Sequence, residues 1–445
     1  MKPFRIGAGA GYAGDRIDPA LALAERGALD ALVFECLAER TIALAQLRRS
    51  QEPGHGYDPL LEARMRAVLP ACMRQGVTVI SNMGAANPLA AGAAVIDVAR
   101  ELGLQGLRVA VVSGDDVLPW VRAHDPALMD STERASGLGG RLISANAYLG
   151  ADALLPALAS GANVIITGRV ADPALFLAPL MHAFGWRADD WPQLGRGVLV
   201  GHLLECAAQV SGGYIADPGR FDVPNLHDLG FPLAEVQPDG TAVVTKLEGT
   251  GGVVNRLTCT AQLLYELEDP MRYLQPDVVA DFSQVRLQEV GPDRVQVSGA
   301  SGTPRPAQLK ATLGYRDGWI GEGQISYAGP GARERGALAL QVLQERLRRL
   351  GFDALERRAE LIGVDAMHGP NLGGDRQPYE VRLRLAVRCA TRAQAERVGQ
   401  EVEAMYLNGP AGGGGVTQSV REVIAAASAL VPREAARSAV HMLES

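Results

Sequence analysis

The sequence predicts an α/β protein. A Rossmann-like parallel-sheet domain is expected over residues 1–215. An α+β domain with an antiparallel sheet is expected over 216–445. Three observations carry this reading. Short apolar runs rich in Val and Ile alternate with helix-period segments through the first half. Polar residues stand at the ends of those runs, where open parallel sheets bind ligands. The second half shows two-residue alternation beside amphipathic helices.

Taken in order, FRIGAGA reads as a strand that turns into GYAGDR, and LALAERG as a helix. LDALVFECL is a strand, LLEARMRAVLPACMRQ a helix and GVTVISN a strand. AAGAAVIDVARELGL is helical, LRVAVVSGDD is strand and turn, ALLPALASG is helical, and ANVIITGRVADP is strand and turn. Strands alternating with helices imply a parallel sheet with right-handed crossovers, here of at least five strands. The Gly/Pro-rich passage YIADPGRFDVPNLHDLGFPLAEVQPDG reads as loops with a short element. TAVVTK is a strand leading into the loop LEGTGG. RVQVSG, AQLKATLGY and GQISYAG alternate as antiparallel strands. ARERGALALQVLQERLRRLG is an amphipathic helix, AELIGVDAM and YEVRLRLAVRC are strands, and AQAERVGQEVEAMYL is a helix.

Composition narrows the function. The chain carries 43 basic and 50 acidic residues, a net of −7, with no basic stripe. That disfavours nucleic acid as a partner. Five cysteines are scattered without a CxxC pair, which fits free thiols in a reducing compartment. The first residues lack the apolar core of a signal peptide, and no long uncharged apolar run suggests a membrane span. A cytoplasmic protein acting on small molecules is expected.

The strand ends bring together glycines before Asp15 and Arg16, then Glu35, Asn82 with Gly84, Asp115 with Asp116, and Arg169 with Asp172. Any one of these residues can cap a helix or make a turn. As a set they point to a site. Gly9, Gly11 and Gly14 fit G-x-G-x-x-G, with Glu35 downstream, as a nicotinamide turn would require. However, Asp15, Arg16 and Asp18-Pro19 interrupt the helix that should start directly. A glycine turn that lets the backbone approach another ligand fits better. No cofactor is assigned.

KLEGTGGVVN, residues 246–255, is too long for a tight hairpin. Its consecutive glycines can present N–H groups to an oxyanion, with Lys246 as a point charge and Thr250 as a hydroxyl. Gly251 and Gly252 belong to this cradle, and Glu248 is suited to proton work. In GHLLECAAQVSGG, His202 and Glu205 share a helix face. They can form an acid/base couple or a surface pair. No third ligand stands near them, so no metal is assigned. Arg169 suits bidentate carboxylate recognition, or a salt bridge to Asp172. Four glycines in NGPAGGGGV make a hinge or a second cradle.

Together, RIGAGAGYAGDR, ANAYLGA, VIITGRVADPALFLAP, GHLLECAAQVSGGYIADPG, GFPLAEV, TKLEGTGGVVN, QLLYELEDPMRYLQPDVVADFS and NGPAGGGG resemble the acyclic terpene utilisation AtuA family over nearly the whole chain. The resemblance implies a soluble protein of bacterial catabolism. Some members are linked to the breakdown of branched terpenoids, whose intermediates travel as acyl-CoA thioesters. Longer relatives carry a further C-terminal domain, so a separate small partner protein is an expectation. The resemblance brings no catalytic residues.

The resulting expectation is a hydratase or lyase acting on a small carboxylic acid or acyl-CoA. Glu248, His202 and Glu205 would do the proton work. Lys246, Thr250, Gly251, Gly252, Arg169, Asp172, Asn82, Asp115 and Gly11 would bind substrate. The alternative is a binding or scaffold subunit that needs the small partner. A homo-oligomer is expected.

Overall fold

The computed structural model describes residues 2–352, 355–369 and 377–445. The chain divides into two compact units, residues 1–314 with 426–445, and residues 315–425. Residue 215, where the sequence reading places its domain boundary, lies inside the first unit.

The first unit is built on a ten-stranded sheet. Its strands in the first half are β1 (Phe4–Ala10), β2 (Ala31–Phe34), β3 (Thr78–Ser81), β4 (Arg108–Ser113), β5 (Leu142–Ala147) and β6 (Val164–Thr167). All but β5 form a parallel core in the order β1-β2-β3-β6-β4. Sequence explains the placement. The segments ALVF and VIIT are buried along their whole length, as strands covered on both faces must be. Helices Asp18–Arg26, Leu61–Gln75, Pro88–Glu101 and Asp172–Phe184 supply the intervening turns of chain.

The sheet then grows with antiparallel strands. β7 (Pro232–Val236) pairs with β1, and β8 (Ala242–Lys246) pairs with β7. TAVVTK therefore joins the large sheet. β9 (Tyr273–Leu274) and β10 (Val279–Asp281) belong to a small sheet. β11 (Arg286–Gly291) and β12 (Arg294–Ser298) extend the large one beyond β8, and β13 (Ser301–Thr303) completes the small one. The strand Ala439–Glu444 lies antiparallel to β4 and closes the opposite edge.

The second unit follows a β-α-β-β-α-β order. Its strands are β14 (Gln308–Ala328), β15 (Arg357–Ile362), β16 (Glu380–Cys389) and β17 (Gly414–Pro432). β14 and β17 start or end in the first unit. The sheet order is β15-β16-β14-β17, with β5 also pairing β14, and the β14–β16 and β15–β16 ladders are antiparallel. This is the split β-α-β arrangement. Helices Ala332–Arg349 and Arg392–Glu403 share an apolar core with these strands. The segments read as AQLKATLGY and GQISYAG form one continuous strand, β14. The glycine run is a turn that opens β17 at Gly414.

Candidate active site

The carboxyl ends of β1, β2, β3, β6 and β4 lie along one edge of the sheet. At that edge the first unit holds a cavity of about 590 Å³. Its wall carries five carboxyl side chains: Glu35, Glu39, Asp172, Glu205 and Glu266. Lys310 is the cationic member of the wall, and its Nζ lies 3.1 Å from Glu39 Oε1.

Glu35 follows directly on β2. It is 8 % exposed. Its Oε1 accepts hydrogen bonds from the Leu37 N–H at 2.8 Å and from Asn82 Nδ2 at 3.0 Å. Burial and then the charge of Asp172 push its carboxyl up to about 8. Because both donors go to Oε1, a proton on the neutral acid belongs on Oε2. Glu39 behaves oppositely. Burial opposes its ionisation, but the Tyr148 hydroxyl, its own backbone N–H and Lys310 outweigh that and hold it at about 2.

Glu205 sits one residue beyond helix Trp191–Leu204 and keeps right-handed helical dihedrals, so the three-residue spacing still pairs it with His202. His202 Nδ1 lies 2.9 Å from Glu205 Oε1. His202 Nε2 lies 3.1 Å from the Leu263 carbonyl oxygen, which can only accept. Nε2 therefore carries hydrogen, and Nδ1 is free to give or take the shared proton. The ring is fully buried, packed with Tyr273 and Phe282. Burial disfavours the imidazolium, yet the bond and charge of Glu205 carry the His202 pKa above its usual value. Burial likewise raises Glu205 to about 7. Glu205 Oε2 is buried and has no hydrogen-bond partner among the described residues.

Asp172 opens helix Asp172–Phe184, where Pro173 and an acidic first turn suit the N-terminus. Its side chain is 36 % exposed, within the cavity wall. Burial holds its pKa up, against the charge of Arg169. Arg169 is fully buried and committed. Its guanidinium bonds Asp172 Oδ1 at 2.6 Å and the Leu37 carbonyl, and stacks 4.0 Å from the Tyr148 ring centroid. It lies beneath the wall, so its role is to fix Asp172 and the β2 end.

Asn82 and Asp115 act one layer further back. Asn82 Oδ1 accepts the Cys36 N–H at 2.8 Å while its amide holds Glu35. Asp115 Oδ2 accepts the Arg169 N–H at 3.0 Å and Asn146 Nδ2 at 2.8 Å. Gly168 has no side chain because a Cβ there would lie 2.6 Å from the Asp115 carboxylate.

The glycine turn has a packing role. A Cβ on Gly11 would stand 2.4 Å from the Cys206 carbonyl carbon. Its absence lets segment 205–207 close onto the end of β1. The helix after this turn starts only at Asp18, so no dinucleotide turn is formed. Arg64, fully buried, bonds the carbonyls of Ala13 and Asp15 and lies 3.1 Å from Cys36 Sγ, clamping the turn to the β2 end. Ala207 at φ 41° and Glu266 at φ 54° add left-handed backbone at non-glycine positions beside the cavity. Such conformations concentrate at functional sites.

The loop after β8 leaves the same edge of the sheet but is bonded into the protein. Lys246 is buried, with Nζ 2.9 Å from the Thr250 carbonyl oxygen and 3.1 Å from Asp293 Oδ2. The N–H groups of Gly251, Gly252 and Val253 donate to the carbonyls of Asp228, Pro224 and Ser211, at 2.7, 2.7 and 2.9 Å. The Thr250 hydroxyl donates to the Leu247 carbonyl, and Glu248 is exposed. The N–H groups that an oxyanion would need are thus occupied, and residues 246–255 are absent from the cavity wall. The loop buttresses the 208–213 segment that follows Glu205.

Of the residues named from sequence, Glu205, Asp172 and Gly11, with Glu35 of the strand-end set, meet at the cavity. His202, Arg169, Asn82 and Asp115 support them, while Lys246, Glu248, Thr250, Gly251 and Gly252 lie elsewhere. Glu39 and Lys310 had no motif to mark them, while Tyr148, Tyr265, Glu266 and Tyr273 stand in the segments ANAYLGA and QLLYELEDPMRYLQPDVVADFS without a role read for them. Glu35 carried a signal in its position directly after a buried strand.

Among the described residues, no helix is long and apolar enough to cross a membrane, and no group of three His, Cys, Asp or Glu side chains is placed to hold a metal ion. No curated protein and no solved structure gives a significant match to the chain. Residues 4–442, which include every strand and side chain of the cavity, match the family described as Acyclic terpene utilisation family protein AtuA, and the chain belongs to that family.

Proposed function

We propose that the chain is an enzyme of hydratase or lyase type acting on a small acyclic acyl compound, with Glu205 as base and Glu35 as acid. One observation carries this reading. Glu35, Asp172 and Glu205 crowd one wall above a single buried guanidinium that is already bonded to Asp172. Asp172 is bonded to Arg169 and Glu205 to His202, so the charge crowding falls on buried Glu35 and favours a proton there.

In the hydration direction, water loses a proton to Glu205 as its oxygen bonds to the β-carbon of a conjugated double bond. Glu35 delivers a proton to the α-carbon. The Glu205–His202 bond lets the accepted proton be shared with the imidazole. General acid–base steps of this kind contribute about 10²–10⁴-fold each. The crowded carboxyls oppose a free carboxylate in the cavity. A thioester or other neutral carbonyl, which a protonated acid can bond, fits better.

The test is turnover of 3-methylcrotonyl-CoA and longer branched enoyl thioesters, followed by loss of the conjugated-thioester absorbance. Glu205→Gln and Glu35→Gln are expected to lose at least about 100-fold in kcat while still binding substrate. Turnover that survives both substitutions would overturn the assignment. Tight binding without turnover by the unaltered protein would instead make the chain a substrate-holding subunit.

A further inference from the structure

We propose that a second chamber beside the carboxyl cavity receives the aliphatic tail of the substrate. The inference rests on the reading of the first cavity as the acyl-head site. The chamber has a volume of about 320 Å³. Thr41, Leu44 and Ala45 of helix Glu39–Gln51 form one wall, and Met83 and Ala85, beyond β3, form another. The two cavities share Ala13, Cys36, Leu37 and Thr41, so one layer of side chains separates them.

The lining is small and apolar where it could have been filled. Leu37, Ile42, Ala45, Ala85 and Ala86 form a cluster of their own, apart from the main core. Alanines at such positions leave space that larger side chains would close, and unfilled apolar space costs stability. Apolar walls of this kind take apolar ligands. The polar groups at the wall make few demands. The Asn82 amide is taken by Cys36 and Glu35, the Tyr57 hydroxyl donates to Glu62, and Arg48 is exposed. Asp58 Oδ1 accepts the Leu60 N–H, while Oδ2 is buried without a partner among the described residues. Burial raises the Asp58 pKa, against the charge of Arg64, whose Nη1 lies 3.5 Å from Asp58 Oδ1. A chain that enters therefore meets mostly hydrocarbon, with one carboxyl oxygen that a water can satisfy.

The tail must be continuous with a head group in the first cavity, passing the Leu37 side chain. That predicts a chain-length dependence of binding that belongs to this chamber. The probes are N-acetylcysteamine thioesters of butanoic, hexanoic, octanoic and decanoic acids, titrated calorimetrically into the full chain. For the unaltered protein, each added methylene should tighten binding about three- to fourfold until the chamber is full. Ala45→Phe should keep the affinity for the butanoyl ester and lose the gain from longer chains. Leu44→Phe, from a half-buried position, gives the same reading if Ala45→Phe fails to fold.

Equal gains per methylene in the variants and the unaltered protein would overturn the proposal, because the tail would then lie elsewhere. No gain in the unaltered protein, or no binding of any ester, would overturn it too. A failure of the catalytic reading looks different: enoyl thioesters are not turned over while the chain-length gain persists.

Discussion

The carboxylate of Glu205 and the imidazole of His202 share one hydrogen bond, 2.9 Å from Oε1 to Nδ1, while the far side of the imidazole is pinned by the Leu263 carbonyl. That geometry predicts the acid limb of a pH–rate profile. Under the proposed assignment Glu205 must be ionised to act as base, and burial raises it to about 7. Glu35 must be neutral to act as acid, and burial raises it to about 8. kcat/KM should therefore follow a narrow bell between about 7 and about 8, falling on either side. His202 lowers the Glu205 pKa by bonding its ionised form. In His202→Gln the acid limb should move to higher pH. A loss of rate with no movement of the limb would assign His202 a packing role only.

Glu35 also predicts how stability depends on pH. Its folded pKa of about 8 lies above its ordinary 4.5. Between those values the unfolded chain releases the proton while the folded chain still holds it. The contribution of Glu35 to stability is thus complete below about 4.5 and is lost as pH rises towards about 8. Glu35→Gln keeps an acceptor for Leu37 and Asn82 and removes the titration. It should stabilise the protein at pH 8 relative to pH 5, by about 3–4 kcal/mol on the scale of ~1.4 kcal/mol per pKa unit. Thermal melts of both proteins at the two pH values measure the difference. An equal change at both would show that Glu35 is not held neutral.

The parallel core was legible because ALVF, TVIS, RVAVVS and VIIT are short apolar runs that only a doubly covered sheet accommodates. The edges were not. PLAEV of β7 begins with Pro and sits among turn residues, and the polar stretch ERTIALAQLRRSQ shows little helical stripe, yet both are regular structure. Tertiary pairing with β1 decides the first, and chain placement over the cavity the second. His202 and Glu205 could be paired from spacing alone. The KLEGTGG loop lies away from the cavity wall, and the alternative use of its glycines has a physical reason. Glycines that free N–H groups for an anion serve equally well to offer them to neighbouring carbonyls, and only the fold reveals that Asp228, Pro224 and Ser211 stand there. Tyr148, Tyr273 and Glu266 reach the cavity through long-range packing that no local pattern encodes.

Gly11 and Gly14 separate a packing glycine from a tolerant one. A Cβ on Gly11 meets backbone at Cys206, whereas a Cβ on Gly14 meets the ring of Tyr12, which is 62 % exposed and can swing away. Gly11→Ala should push the 205–207 segment off β1. It should cost about 1–3 kcal/mol of stability and reduce kcat through displaced Glu205. Gly14→Ala should leave both nearly unchanged. Denaturant melts and rate measurements on the two variants compare them directly. Equal tolerance at both positions would mean that the approach of Cys206 to β1 is not needed to place Glu205.

Lys246 closes the loop that follows β8, and its partners make it structural. Lys246→Met keeps the apolar stem but removes the ammonium from between the Thr250 carbonyl and Asp293. Asp293, about one-third exposed, can turn to water, whereas the buried acceptor side of the loop loses its donor. The expected cost is about 1–3 kcal/mol of stability, the range for an orphaned buried polar group. Because the loop only buttresses segment 208–213, affinity for thioesters should change less than about threefold, which corresponds to under ~0.7 kcal/mol. Melting curves paired with calorimetric titration of the butanoyl thioester distinguish the two roles. A large loss of affinity at unchanged stability would return Lys246 to the ligand and reopen the loop as an anion site.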